Sequence, residues 1–166
     1  MTKNIELHKV NHDAVPPFLP PGAKVLLLGS FPSEKSREEH FYYMHPTNRF
    51  YRVLESLFHV KSLSMIEDRK AFLQAHHIAL YDVLSSCEIY RSQDATIQNP
   101  RPLDLASIRN QVPTIQEIGT TGKTAATYFR RFFPDVPFHA FSSTSGMNRV
   151  SLPALVQEYS LLLDWC

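Results

Sequence analysis

The sequence predicts an α/β fold: a three-layer α/β/α sandwich around a central, mostly parallel, four-stranded sheet. Three observations carry this prediction. Four short apolar runs, at residues 24–29, 77–84, 114–118 and 138–141, have the length and composition of buried strands. Segments with apolar residues at helical spacing alternate with them, and such alternation builds parallel sheets covered by helices. At 166 residues the chain can bury a real core within one domain, taken as residues 1–166.

Residues 1–22 carry PPFLPPG and read as an irregular, proline-stiffened lead-in. The first strand, residues 24–29, stops at Gly29 and opens into a polar loop. Residues 48–58 place Phe50, Val53, Leu54, Leu57 and Phe58 on one helical face, and residues 65–76 read as a second helix. Residues 77–84, HIALYDVL, form the second strand, with Asp82 near its end. Residues 85–102 are polar and loop-like. A short helix is expected over 103–110, a third strand over 114–118 and a helix over 122–133. The fourth strand, 138–141, leads through a loop at 142–148 into a closing helix over 151–165. The loops after Leu28, Tyr81 and Phe141 would then leave the same sheet edge. Open parallel sheets bind their ligands at that edge.

Bulk properties narrow the function classes. Net charge is +1 and the pI is near 7.9, so the chain is not a strongly basic nucleic-acid binder. A small footprint on DNA needs only a few cations, with backbone N–H groups supplying the rest. No apolar run is long enough for a membrane span, and the N-terminus lacks a signal peptide, so cytoplasmic residence is expected. Cys87 and Cys166 make neither a disulfide framework nor a metal site, and His76 and His77 are not spaced as ligands. No metal and no cofactor are predicted.

The richest stretch is residues 25–51, VLLLGSFPSEKSREEHFYYMHPTNRFY. It joins a buried strand to a loop with two adjacent tyrosines, His45 and Asn48, and holds no obvious nucleophile. That is equipment for gripping a flat ring. The stretch resembles the first motif of the uracil-DNA glycosylase superfamily, in particular its hypoxanthine-DNA glycosylase branch. That branch runs roughly G-S-x-P-S, a spacer, then Y-Y-x-H-P-x-N-x-F-[WY]. Gly29, Ser30, Pro32, Ser33, Tyr42, Tyr43, His45, Pro46, Asn48, Phe50 and Tyr51 fit it. A second stretch, FSSTSGMNR at 141–149 followed by VSLPAL, is similar to N-P-S-G-L-S-R-V-S-L of the mismatch-specific branch.

The resemblance implies a monofunctional DNA glycosylase acting on double-stranded DNA with a deaminated base, hypoxanthine first and uracil second. It implies catalytic roles for Asn48 and His45. Gly29, Ser30, Phe31, Pro32, Ser33, Tyr43, Asp82 and Ser143 would line the base pocket, with Tyr43 stacking on the base. Ser145, Gly146, Met147, Asn148 and Arg149 would meet the DNA, with Met147 as the wedge that fills the vacated space. Gly146 would permit a close approach or a positive φ. Gly122 and Lys123 lie where a helix N-terminus can hold a phosphate. Plainer roles compete: Asn48 as a helix cap, Gly122 and Lys123 as a tight turn, Asp82 as a cap or an arginine partner. Phe31 stands where most branches place a water-positioning Asp or Asn. That departure keeps a non-catalytic binding module open as the alternative. A monomer is expected.

Overall fold

The computed structural model describes residues 6–166. At its centre, β2 (Val25–Gly29) is flanked by β3 (Ile78–Asp82) and β6 (Glu117–Thr121), and β7 (His139–Phe141) closes the sheet in the order β3-β2-β6-β7. Every pairing is parallel. The continuous run Val25-Leu-Leu-Leu-Gly29 is explained by burial on both faces. Val25 and Leu27 enter one core, and Leu26 and Leu28 enter the other.

The first core packs under α2 (Phe50–Phe58), α3 (Ile66–Ala75), α6 (Leu152–Tyr159) and α7 (Leu162–Trp165). The second packs under α4 (Leu105–Gln111) and α5 (Lys123–Phe132). Helices therefore cover both faces, as expected.

Several elements differ from expectation. The third strand lies at Glu117–Thr121, not 114–118. The Lys24 carbonyl accepts from Gln116 and Glu117 N–H, which registers Val25 opposite Glu117 and carries pairing with β2 on through Gly119 and Thr120, while Thr121 pairs with Phe141. Gly119 permits this, because a Cβ there would lie 2.7 Å from the Phe141 ring. The closing helix is broken into α6 and α7.

Residues 85–102 are not all loop. β4 (Leu84–Ile89) pairs antiparallel with β1 (His8–Asn11) on one side and β5 (Gln98–Pro102) on the other. Part of the lead-in is therefore a strand. The β4–β5 register shifts twice, between Leu84 and Ser86 and between Ser86 and Glu88, which erases the period-two signal. β5 holds Pro100 and Pro102, which an edge strand tolerates. The polar loop after β2 also contains α1 (Glu34–Glu39).

Candidate active site

The carboxyl edge of the sheet gathers the first part of the site. Gly29 and Asp82 are register partners at the ends of β2 and β3. A Cβ on Gly29 would lie 2.5 Å from Asp82 Oδ1, 3.6 Å from the Tyr43 hydroxyl and 3.7 Å from Thr121 Oγ1. Glycine is needed here because that space belongs to the carboxylate. Tyr43 OH and Thr121 Oγ1 hydrogen-bond at 2.9 Å.

The two tyrosines diverge. Tyr42 is buried and its hydroxyl donates to the Pro16 carbonyl. Tyr43 sits at φ 57°, a left-handed conformation that is unfavourable for a bulky residue. Its ring stacks on Phe50 with centroids 4.0 Å apart. Phe50 thereby backs one face of Tyr43. Burial pushes the Tyr43 hydroxyl well above the ordinary tyrosine pKa, so it stays a neutral donor.

Asp82 is 4% exposed, and its Oδ2 lies 2.7 Å from Nε2 of His12, itself 5% exposed. His12 Nδ1 meets the Val15 carbonyl. Oδ1 of Asp82 takes no hydrogen bond from any described residue. His12 escaped the sequence reading. Its stretch, VNHDAV, carries no pattern pointing to a residue seventy positions away.

The two motif stretches are fastened together. Asn48 Oδ1 accepts from Phe50 N–H at 2.9 Å and from Thr144 Oγ1 at 3.0 Å. Arg49 N–H donates to the Thr144 carbonyl, and its guanidinium donates to the carbonyls of Ser145, Asn148 and Val150. Arg49 was missed as well, since nothing in a lone arginine at a helix start announces partners in a distant loop. From the other side, Glu158 Oε1 accepts from Ser142 N–H, and Tyr159 OH donates to the Ser142 carbonyl. At the loop tip Met147 is 91% exposed.

The remaining expected residues fall into three groups. His45, Lys123 and Arg149 are exposed, and Ser30 and Ser143 are half-buried. His45 Nδ1 accepts from Thr47 N–H, so the neutral ring carries its proton on the exposed Nε2. Ser30 Oγ donates to the Asp94 carboxylate, whose pKa burial raises. Asp94 is exposed as a residue, although its carboxylate is crowded between Ser30 and Thr124. Gly122 has φ 102° and backs onto Ser143, with a virtual Cβ 3.3 Å from that side chain.

A second group supports the edge from beneath. Phe31 and Pro32 are buried, and Phe31 packs edge-on against His12 under the Arg37 guanidinium. Ser33 is the N-cap of α1, its Oγ accepting from Ser36 N–H, so its hydroxyl serves the helix and not the pocket.

The third group braces the 142–148 loop. Ser143 Oγ accepts from Ser145 N–H, and Ser145 Oγ accepts from Met147 N–H. Asn148 ties across the loop, its Nδ2 donating to the Ser143 carbonyl and its Oδ1 accepting from Val150 N–H, which leaves little of its amide for DNA. Gly146 has no positive φ. It is required by packing instead, because a Cβ there would lie 2.6 Å from Thr47 Cβ and 2.9 Å from the Thr47 carbonyl oxygen.

Among the described residues no group of His, Cys, Asp and Glu could hold a metal ion, and no helix is long and apolar enough to cross a membrane.

Gly29, Tyr43, Asp82 and Thr121 thus converge at the carboxyl edge of a parallel α/β sheet, where such folds bind ligands, and the loop carrying the exposed Met147 is fastened to Asn48 and Arg49. The chain belongs to the uracil DNA glycosylase superfamily, whose family model matches residues 16–160. It is 28% identical over 141 residues to a hypoxanthine DNA glycosylase of Methanosarcina barkeri, covering 82% of this chain and 88% of the relative. It is 29% identical over 114 residues to a hypoxanthine DNA glycosylase of Methanosarcina acetivorans, covering 68% and 72%. The solution NMR structure of a candidate uracil DNA glycosylase from Methanosarcina acetivorans superposes with a TM-score of 0.72 at 26% identity, over 90% of this chain and 96% of that one. The fold, the family and these relatives support a DNA glycosylase.

Proposed function

We propose that the chain is a single-domain, monomeric glycosylase of the cytoplasm. It extrudes a deaminated base, hypoxanthine foremost and uracil second, from double-stranded DNA and hydrolyses its N-glycosidic bond. The observation that carries this is the free Oδ1 of Asp82, which occupies the space above Gly29 beside the Tyr43 hydroxyl. Hypoxanthine presents an N1–H donor beside the O6 acceptor. Adenine has no donor at N1, so a fixed carboxylate rejects it on hydrogen-bond pattern. Uracil also offers a ring N–H between carbonyls, which accounts for its place as second substrate. The relatives named hypoxanthine DNA glycosylase support hypoxanthine as the foremost substrate.

Tyr43, backed by Phe50, would stack on the extruded ring, an interaction worth about 1–3 kcal/mol per base. Met147 would fill the vacated stack. Asn48 would act through its amide N–H₂, because two donors already occupy its carbonyl. It would donate to the departing base as charge builds there. His45 would donate through Nε2–H to the sugar or a phosphate. Water adds to C1′ as the C1′–N9 bond breaks. The electron pair leaves with the base, which takes up a proton to give free hypoxanthine and an abasic site. Phe31 cannot position that water, so the reaction is driven by the leaving group and is slow. Lys35 is paired with Glu39 on the exposed face of α1, and no Schiff base is expected.

The test is incubation with duplexes carrying deoxyinosine or deoxyuridine, followed by alkali. The expected result is an alkali-labile site at deoxyinosine, weaker at deoxyuridine, with no cleavage before alkali. The rival is a binding module without chemistry, favoured by the saturated Asn48 carbonyl and the buried Phe31. Binding of the lesion duplex with no base released at stoichiometric protein would establish that rival.

A further inference from the structure

His12 lies just beyond β1, outside both motif stretches, and both of its ring nitrogens face acceptors. Nδ1 faces the Val15 carbonyl, which can only accept, and Nε2 faces Asp82 Oδ2. A neutral imidazole has one N–H and can satisfy only one of these. The doubly protonated ring satisfies both. The pair is therefore an imidazolium on a carboxylate, sealed among Phe31, Tyr42 and Tyr81.

We propose that His12 is a positioning residue for base recognition: its imidazolium holds Asp82 by Oδ2, fixes Oδ1 above Gly29 and balances the carboxylate charge. The proposal rests on the reading of Asp82 as the acceptor for the ring N–H of the extruded base. Two physical consequences give His12 its role. A carboxylate free to rotate would present either oxygen in many directions, whereas the anchored one presents a single oxygen at one place. An unbalanced buried carboxylate would also set a negative charge against a polyanionic substrate and a base that departs with an electron pair. The ion pair presents the same acceptor with no net charge.

The surroundings are consistent with this assignment. Burial opposes charge on His12, but the Asp82 hydrogen bond and charge, with the Val15 carbonyl, prevail and raise its pKa above the ordinary histidine value. Tyr42 and Tyr43 are held neutral because burial pushes their hydroxyls far up, and Tyr81 is pushed up to about 12 for the same reason. Asp13 acts on Tyr81, Asp94 interacts with Asp82, and Arg37 lies over Phe31. None of these offers Asp82 a second hydrogen bond.

Two measurements test the proposal. The first needs no catalysis: ring-nitrogen NMR of the wild-type protein against pH, compared with Asp82→Asn. Both His12 nitrogens should be protonated at neutral pH in the wild type, and Asp82→Asn should lower the pH at which the ring loses its proton. A neutral His12 at pH 7 in the wild type would overturn the proposal, whether or not the protein proves to be a glycosylase. The second is single-turnover excision of hypoxanthine by His12→Gln. The rate should fall by about 10-fold or more, as expected for loss of a charge-assisted contact. The wild-type rate should decline at alkaline pH together with the His12 titration, and the variant should lack that limb. A folded His12→Gln protein with the wild-type rate and the same alkaline limb refutes the role. If His12→Gln does not fold, the wild-type titration alone decides. If no duplex releases a base while His12 titrates as expected, the function fails and the pair stands.

Discussion

Met147→Ala separates the wedge from the pocket. In the free protein Met147 is 91% exposed, so truncation removes almost no packing. Stability should change by less than about 0.5 kcal/mol, as for other exposed positions. On the duplex the situation reverses, because a side chain inserted into the stack is removed from water. Full burial of a methionine side chain is worth about 1.5–3 kcal/mol. Alanine keeps only a fraction of that area, which leaves a loss of about 1.5–2 kcal/mol and a rate on duplex DNA lower by roughly 10- to 30-fold. A single strand has no stack to fill. Single-turnover excision of hypoxanthine should therefore be compared on duplex and single-stranded forms of one oligonucleotide. The duplex rate should drop by that factor and the single-strand rate by less than about 3-fold, within the effect of an exposed contact. Equal losses on both substrates, or no loss on either, would refute the wedge assignment.

Arg49→Met removes donors to three loop carbonyls. Charge-assisted hydrogen bonds are worth about 1.5–3 kcal/mol each, but carbonyls freed at the surface regain water, so a net loss of about 2–3 kcal/mol is expected. Thermal unfolding should show a midpoint lower by about 5–10 °C, and an unchanged midpoint would show that the clamp contributes nothing. Gly146→Ala should slow duplex excision more than Met147→Ala does. Its Cβ would stand 2.6 Å from Thr47 Cβ, so the whole tip must move away from the pocket. A Gly146→Ala protein as fast as wild type would contradict that packing. Stability should also depend on pH through His12. Its folded pKa is raised, so the contribution is complete below the unfolded value of about 6.5 and is lost as pH rises through the folded value. Denaturant titrations across this window should show stability declining with pH, and His12→Gln should remove that component.

What the sequence showed and what it hid follow from the range of the interactions. The core strand was legible because Val25 to Leu28 is buried on both faces and leaves an unbroken apolar run. The divergence of Tyr42 and Tyr43 was legible from their adjacency. The third strand was misplaced because its buried half is Gly119-Thr120-Thr121, where burial is set by the neighbours β2 and β7. The small antiparallel sheet was hidden by bulges in β4 and prolines in β5. Asp82 lies at a strand end as the sequence placed it, but its partner His12 carried no signal. Asn48 was found from its motif, but the two donors that occupy its carbonyl come from residues 50 and 144, and only the fold shows the second. Arg49 was passed over for the same reason.

These separations also set an order of assembly. His12 meets Asp82 across 70 positions, and Arg49 meets Val150 across 101. Contacts of such span form late, because each must close a long loop before it returns any stabilisation. A nascent chain that has released β2, α2, α3 and β3 already holds Gly29, Tyr43 and Asp82, yet lacks the 142–148 loop. The 142–148 loop is seated only once Ser142 is pinned by Glu158 and Tyr159, near the far end of the sequence. The proposed wedge is therefore seated by one of the last folding events.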